Sequence, residues 1–369
     1  MWLVCAQSSL AKSVQLAGRA ISTRTTMPIL GYVLLETIKN GLRLTATDLE
    51  FAIQVDIEAE VKKGGQVTLP ARILAEIVGN LPEATVELKN EEGASQVEIT
   101  CEASNFEILG LPAGDFPALP KADGAEVGAI DADLMRRMVS QTIFAVSADE
   151  TRPFLTGVHV AMEGTEVRCV ATDGGRLALR KTALAAAAKQ KLSVIVPAKT
   201  MQELMRALAG VTGDVQLAMA DNQLLFTVPG LRIYSRLISG QFPNYHQVIP
   251  QEFKQRIRVQ TERLLRAVRR MAITARDSAN VIRLAAKGKT LTITSNTPEV
   301  GKAREEVEVS ADGDTVEAAF NARYLMDCLN NIDADELFLE LTGQLSPGAI
   351  RPTGHGDYVY VLAPVRVYG

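Results

Sequence analysis

Val170-Ala171-Thr172-Asp173-Gly174-Gly175-Arg176-Leu177-Ala178-Leu179 decides the fold, because the chain writes this phrase three times. Leu44-Thr45-Ala46-Thr47-Asp48-Leu49-Glu50 is an earlier version, and Leu291-Thr292-Ile293-Thr294-Ser295-Asn296-Thr297-Pro298 is a looser later one. Thr47 and Thr172 lie 125 residues apart, Thr172 and Thr294 122. A period that long is one whole domain per copy, not one turn of a solenoid.

Other anchors recur in the same order. Val67-Thr68-Leu69-Pro70-Ala71-Arg72 returns as Val194-Ile195-Val196-Pro197-Ala198-Lys199, and Ala319 to Leu325 takes that place a third time. Gly114-Asp115-Phe116-Pro117 returns as Gly240-Gln241-Phe242-Pro243. Around these anchors each repeat reads as two helices and roughly eight strands. In the first, a helix is expected over Leu10–Ile21, strands over Ile29–Glu36, Leu42–Val55 and Gln66–Pro70, and a short helix over Ala71–Gly79. Strands at Thr85–Leu88, Gln96–Cys101 and Asn105–Leu109 come next, and then a linker rich in Pro and Gly over Leu111–Ala129. The second repeat predicts a helix over Ala132–Val146, strands around Gly157–Met162, Glu166–Arg180 and Leu192–Pro197, and a helix over Ala198–Ala209. Ala183 to Ala188 favours helix by propensity, but the repeat places a loop or hairpin extension there. The fold class is therefore α+β, in three repeats expected over 1–124, 125–251 and 252–369.

The 369 residues exceed one ordinary core, and 47% hydrophobic with 22% charged content is that of a globular protein. Cys5, Cys101, Cys169 and Cys328 stand apart and suit the core of a protein from a reducing compartment. The amino terminus lacks a basic region for a signal peptide, and no apolar run nears a membrane span, so a cytoplasmic location is expected.

The net charge of −4 conceals a division. The helical windows 10–24, 71–79, 132–146, 198–209, 262–276 and 321–331 hold fourteen basic residues against five acidic, a surplus of nine. The remaining chain therefore stands at −13. Lys12 and Arg19 share a face of the first helix. In Thr261–Arg276, Leu264, Leu265, Val268, Met271 and Ala272 form an apolar stripe, while Arg263, Arg266 and Arg270 fall opposite, within about 60°. One such helix is ordinarily a solvated face. Segregation over most of six points to a polyanion surface read without sequence preference.

The sequence has no phosphate-binding Gly-x-x-x-x-Gly-Lys loop, no dinucleotide Gly-x-Gly-x-x-Gly and no Gly-x-Ser-x-Gly elbow. His159, His246 and His355 lack metal-ligand spacing, so no metal or cofactor is expected. Asp48 and Asp173 at equivalent positions allow a carboxylate-dependent enzyme as one alternative. A Thr-Asp pair that satisfies turn amides is the stronger reading. A repeat scaffold that binds only proteins is a second alternative.

Thr47-Asp48-Leu49-Glu50, Pro70-Ala71-Arg72, Ala171 to Ala178, Phe242-Pro243-Asn244-Tyr245 and Pro364-Val365-Arg366 resemble the bacterial sliding clamps, the beta subunits of the replicative DNA polymerase III. The resemblance covers the whole chain. It implies a non-catalytic head-to-tail homodimer closed as a ring around duplex DNA, with helices lining the hole and sheets outside. Partners by resemblance are duplex DNA, a second copy, the polymerase alpha subunit, the clamp loader, and other polymerases and repair proteins that bring short peptides. Arg24, Arg72 and Lys199 match family DNA contacts, and Lys12, Arg19, Arg136, Arg137, Arg263, Arg266 and Arg270 join them as lining cations. Phe106 and Ile108 on one side and Ile273 on the other match the dimer contacts. The peptide cleft implied has Leu155, Thr172, Gly174, Gly175, Arg176, Leu177, Pro243, Val248, Val361, Pro364, Val365 and Arg366 as walls. This chain departs from some members at Gly175 (histidine there) and Ala363 (methionine there), His246-Gln247 replaces a basic pair, and Pro153-Phe154 replaces an aromatic pair that touches DNA in some members.

Overall fold

The structure, a computed structural model, describes residues 1–369 except 22–26, 92–93, 120–123, 299, 355 and 367–369. Among the described residues six α-helices fall in the six basic windows: α1 Gln7–Ala17, α2 Ala71–Asn80, α3 Ala132–Ser140, α4 Ala198–Ala207, α5 Thr261–Ala275 and α6 Ala322–Leu329. Each of the six comes directly after a strand. Pro70 and Pro197 close the strands before α2 and α4, where a missing N–H costs the helix nothing. Asn321 caps α6 by accepting hydrogen bonds from the amides of Arg323 and Tyr324. α5 buries Leu264, Leu265, Val268 and Met271 as its apolar spacing requires.

The chain packs as two compact units that cut across the threefold repeat. One is Met1–Asp133 with Arg206–Leu237, and the other Leu134–Met205 with Ile238–Gly369. The first contains a five-stranded sheet ordered Glu60–Lys63, Trp2–Ala6, Thr85–Lys89, Gln96–Cys101, Ser104–Leu109. Its eight-stranded sheet runs Ala125–Asp131, Asp214–Ala220, Gln223–Val228, Leu231–Arg236, Phe51–Glu58, Gly41–Thr47, Tyr32–Ile38, Gln66–Pro70. Within it the last strand of the second repeat joins the first repeat, from Leu231 opposite Val55 to Ser235 opposite Phe51. The second unit repeats this join: Arg176–Ala183 pairs with Tyr358–Leu362, the last strand of the third repeat, inside a nine-stranded sheet. Its four-stranded sheet runs Gly301–Glu308, Thr290–Thr297, Val281–Lys287, Glu317–Asn321. Every strand pair is antiparallel, so each sheet can cover one face with helices and leave the other outside.

Two strands lack the partner their counterparts have. Ser104–Leu109 ends the first repeat, as Leu231–Arg236 and Tyr358–Leu362 end the others, yet it is a sheet edge. Gly301–Glu308 corresponds to Phe51–Glu58 and Arg176–Ala183, and it too is an edge.

Several sequence expectations need correction. The run Leu42–Val55 is two strands split at Asp48, and Glu166–Arg180 is split at Asp173. The linker Leu111–Ala129 ends inside a strand, Ala125–Asp131. Residues Pro28–Gly31 form a 3-10 turn before the strand Tyr32–Ile38. α3 stops at Ser140, six residues early, because the Ser140 and Thr142 hydroxyls donate to the carbonyls of Arg137 and Met138 and draw the backbone out of the helix. Thr297, not Thr294, ends the third copy's strand: Thr294 sits opposite Arg283 within the ladder. Ala183 ends the strand Arg176–Ala183 and 184–191 is a loop, held to its neighbouring hairpin by bonds from the Leu184 and Ala188 amides to the carbonyls of Thr165 and Gly164.

Candidate functional site

The repeated Thr-Asp phrase builds the same turn twice. Thr47 and Thr172 each donate their hydroxyl to the carbonyl four residues on, that of Phe51 and of Arg176. Asp48 Oδ1 accepts from the amides of Glu50 and Phe51, and Asp173 Oδ1 from those of Gly175 and Arg176. These carboxylates serve the turn, as the Asx geometry predicts. Asp173 also bonds the Arg176 side chain, Oδ2 to Nε at 2.9 Å.

The two copies diverge immediately after the carboxylate. Gly174 takes φ +93°, which glycine reaches without strain, whereas Leu49 takes φ +78° at the matching position and carries a half-exposed side chain. Phe51 stands where the other turn has Arg176. The first copy therefore has bulky apolar side chains where the second has bare backbone and a guanidinium. A cavity of about 60 Å³ beside Leu49 and Phe51 is what remains there.

Arg176 is held from several directions. Its Nη1 bonds Asp327 of α6 at 2.5 Å, and its guanidinium carbon lies 4.2 Å from the Tyr324 ring centre and 5.9 Å from that of Phe144. Burial by itself drives the guanidinium pKa down; the hydrogen bond to Asp327 and the fields of Tyr360 and Asp173 outweigh it and hold the pKa above the ordinary arginine value. Tyr360 donates its hydroxyl to the Tyr324 carbonyl, which fixes α6 against the strand Tyr358–Leu362. A side chain on Gly175 would meet the Tyr324 ring at 3.4 Å, so the bare glycine lets that ring lie close over the turn.

The predicted cleft residues divide by burial. Leu155, Thr172, Leu177 and Val361 are buried, and Leu177 and Val361 belong to an apolar cluster with Val170, Leu179 and Tyr245. These side chains belong to the buried interior. Gly174, Pro243, Val248 and Arg366 are exposed, with Gly175, Arg176, Pro364 and Val365 half-buried. The carboxyl-terminal segment is pinned by bonds from the Ala363 amide to the Gly175 carbonyl and from Val365 to Ala319, 2.9 and 2.8 Å. Beside it opens a pocket of about 400 Å³ lined by Val365, Arg366, Arg283, Glu317, Ala319 and Leu345 among others. Sequence reasoning reached Val365 and Arg366 but missed the rest, which come from strands and a loop with no motif of their own. It also missed Asp327 and Tyr324, although α6 was recognised as a helix.

The predicted cations fare unevenly. Lys12, Arg19, Arg72, Arg137, Lys199, Arg263, Arg266 and Arg270 are exposed and Arg136 is half-buried. Arg24 lies outside the described residues. Several of these cations are held in ion pairs: Arg72 with Glu76 at 3.0 Å, Arg263 with Glu308 at 3.2 Å, Arg266 with Glu262 at 2.6 Å, and Arg270 with Glu305 at 2.9 Å. The arginines of α5 thus share their surface with carboxylates. Phe154 packs near Gly240 in a half-buried position. Of the predicted contact residues, Phe106 and Ile273 are exposed, at 37% and 66%. Ile108, at 7%, is in the core of its own sheet, and the neighbouring exposed residue is Leu109 at 70%. Strand alternation explains the difference: Ile108 shares a face with Val97, and its neighbours point away. Among the described residues no cluster of His, Cys, Asp or Glu is arranged to hold a metal ion, and no helix is long and apolar enough to cross a membrane.

Comparison with known proteins agrees with this architecture along the whole chain. Residues 1–120, 129–244 and 246–366 match the N-terminal, central and C-terminal domain models of the DNA polymerase III beta subunit. The beta sliding clamp of Bacillus subtilis (strain 168) is 34% identical over 97% of this chain and 98% of its own. That of Synechocystis sp. is 33% identical over the full length of both. The crystal structure of the DNA polymerase sliding clamp from Bacillus subtilis superposes with a TM-score of 0.95, at 33% identity and full coverage of both chains. The beta subunit structure from Pseudomonas aeruginosa gives 0.93, at 30% identity over 99% of this chain and 100% of the other.

Proposed function

Because the chain belongs to the DNA polymerase III beta subunit family, we propose that two copies close head to tail through the two edge strands whose repeat counterparts are paired, Ser104–Leu109 of one and Gly301–Glu308 of the other. The protein is a DNA sliding clamp: it encircles duplex DNA and tethers the replication machinery, conferring processivity without catalysis of its own. The observation that carries the dimer reading is the repeated join. Twice within the chain the strand after the Thr-Asp turn pairs with the last strand of the next repeat. The third such strand and the first repeat's last strand remain as edges. A second chain satisfies that pattern: a head-to-tail arrangement with twofold symmetry pairs the strands at both ends and closes. Phe106 and Ile273 supply the exposed apolar contact beside the joined edges.

In this reading the basic helices face the enclosed duplex. Topology retains the DNA, so the lysines and arginines need only weak, sequence-independent contact with phosphate. The cleft around Arg176, Gly174, Pro243, Val248 and Pro364–Arg366 takes short peptides with a polar anchor and an apolar pair. Buried Leu155, Leu177 and Val361 form its floor. The polymerase alpha subunit, the clamp loader, and other polymerases and repair proteins are the sources of those peptides, and the protein works in the cytoplasm.

The test loads the protein onto nicked circular duplex DNA. A clamp remains through a high-salt wash, leaves when the circle is cut, and lengthens polymerase products. Equal loss from intact and cut circles, or unchanged product length, refutes the reading in favour of a scaffold that binds only proteins.

A further inference from the structure

We propose that Glu262, Glu305 and Glu308 act as resident competitors for phosphate, holding the arginines of α5 in ion pairs and so loosening their contact with the DNA backbone. This rests on the reading that α5 faces duplex DNA. α5 and its C-cap carry five exposed arginines, Arg263, Arg266, Arg269, Arg270 and Arg276. Three of them are bonded to a different carboxylate each, and Arg269 donates to the Asn330 side-chain oxygen at 2.6 Å.

The carboxylates come from two places, which argues against a single local accident. Glu262 is on α5 itself, one turn before Arg266. Glu305 and Glu308 lie on the strand Gly301–Glu308, 35 and 45 residues along the chain from their arginines. Glu305 is the best held. Its side chain is mostly covered, both its oxygens accept from Arg270, and that hydrogen bonding keeps its carboxyl below the usual range despite partial burial. The same device appears on α2, where Arg72 bonds Glu76.

The consequence for DNA comes from counterion release. A free surface arginine adds about 0.9 to the slope of log affinity against log salt. An arginine already paired with a carboxylate must exchange one anion for another and contributes less. Exposed pairs are weak enough to yield to phosphate and reform when it moves on. A surface of five guanidiniums and three carboxylates, drawn from the helix and the neighbouring strand, thus keeps a field that attracts DNA while each individual contact stays brief.

The test uses the full-length dimer with a short duplex, by fluorescence anisotropy over a salt series, and single-molecule diffusion of the loaded protein on circular DNA. Glu305→Gln with Glu308→Gln should steepen the salt slope by nearly two and slow diffusion severalfold. Adding Arg263→Ala and Arg270→Ala should cancel both changes. If the glutamine variant matches the parent while the arginine variants alone weaken binding, the competitor role is wrong and the DNA-facing reading stands. If the arginine variants alone change nothing, the DNA-facing reading of α5 fails as well. Because Glu305 and Glu308 lie on an edge strand, each variant's mass in solution is measured. Should the strand variants dissociate, Glu262→Gln, on the helix, carries the same test with a slope change of about one; no change there overturns the proposal.

Discussion

Arg176 and Asp327, 151 residues apart in the chain, meet at 2.5 Å. The bond fastens the turn after the second repeat's Thr-Asp phrase to α6 of the third repeat, and the Tyr324 ring, one turn before Asp327, lies over the guanidinium. Asp327 thereby orients the charged group at the head of the proposed peptide cleft. Asp327→Asn removes the charge and keeps the shape. The carboxylate is 43% exposed, so the loss is discounted to about 1 kcal/mol, or roughly fivefold in affinity. Titration of a labelled peptide with a polar anchor and an apolar pair should show that weakening, with the dimer mass unchanged.

The two glycines of the turn should respond differently. Gly174→Ala forces a side chain to φ +93° and should lower stability by about 1 kcal/mol or more. At Gly175 the backbone is ordinary and a new Cβ meets only the Tyr324 ring and Asp173 at contact distance, so Gly175→Ala should leave the melting temperature nearly unchanged and alter peptide affinity instead. Thermal unfolding and peptide titration on the same two variants separate these outcomes.

The proposed dimer contact makes a further distinction. Phe106→Asp or Ile273→Asp places a charge on an exposed apolar site and should yield a folded monomer by light scattering. Ile108→Asp places it in a core and should unfold the first unit, since an unpaired buried charge costs several kcal/mol.

Stability should fall in mild acid through His159. The ring stacks on Phe242 at 4.9 Å, bonds Ser193 at 3.0 Å, and its Nδ1 has no partner among the described residues. Burial, helped by the charge of Arg168, lowers its pKa to about 4 from 6.5. Between those values the unfolded chain binds the extra proton, so stability is fully present above pH 6.5 and declines as pH falls toward 4, with a slope of up to about 1.4 kcal/mol per pH unit from this group. Chemical denaturation across that range should show the slope, and His159→Gln should flatten it.

Much of this was legible in the residues. Amphipathic stripes such as Leu264, Leu265, Val268 and Met271 mark the helices because helical periodicity is a local property. The Thr-Asp turn was equally local, since its hydrogen bonds close within four residues. Misplaced ends, such as that of α3, arose where a hydroxyl competed with the helix for its own carbonyls.

The sequence by itself determined that there are three equivalent modules, that their helices are basic, and that the Asp48 and Asp173 carboxylates serve turns, because each is set by spacing or by neighbours a few residues away. Only the tertiary structure decided that Asp327 holds Arg176, that Glu305 and Glu308 occupy arginines of α5, and that Ser104–Leu109 and Gly301–Glu308 are edges where their counterparts are paired. Those outcomes depend on strand pairing and on ion pairs between residues dozens to hundreds apart. Chain closure over such distances leaves no periodic trace, so only the folded coordinates reveal which partners meet.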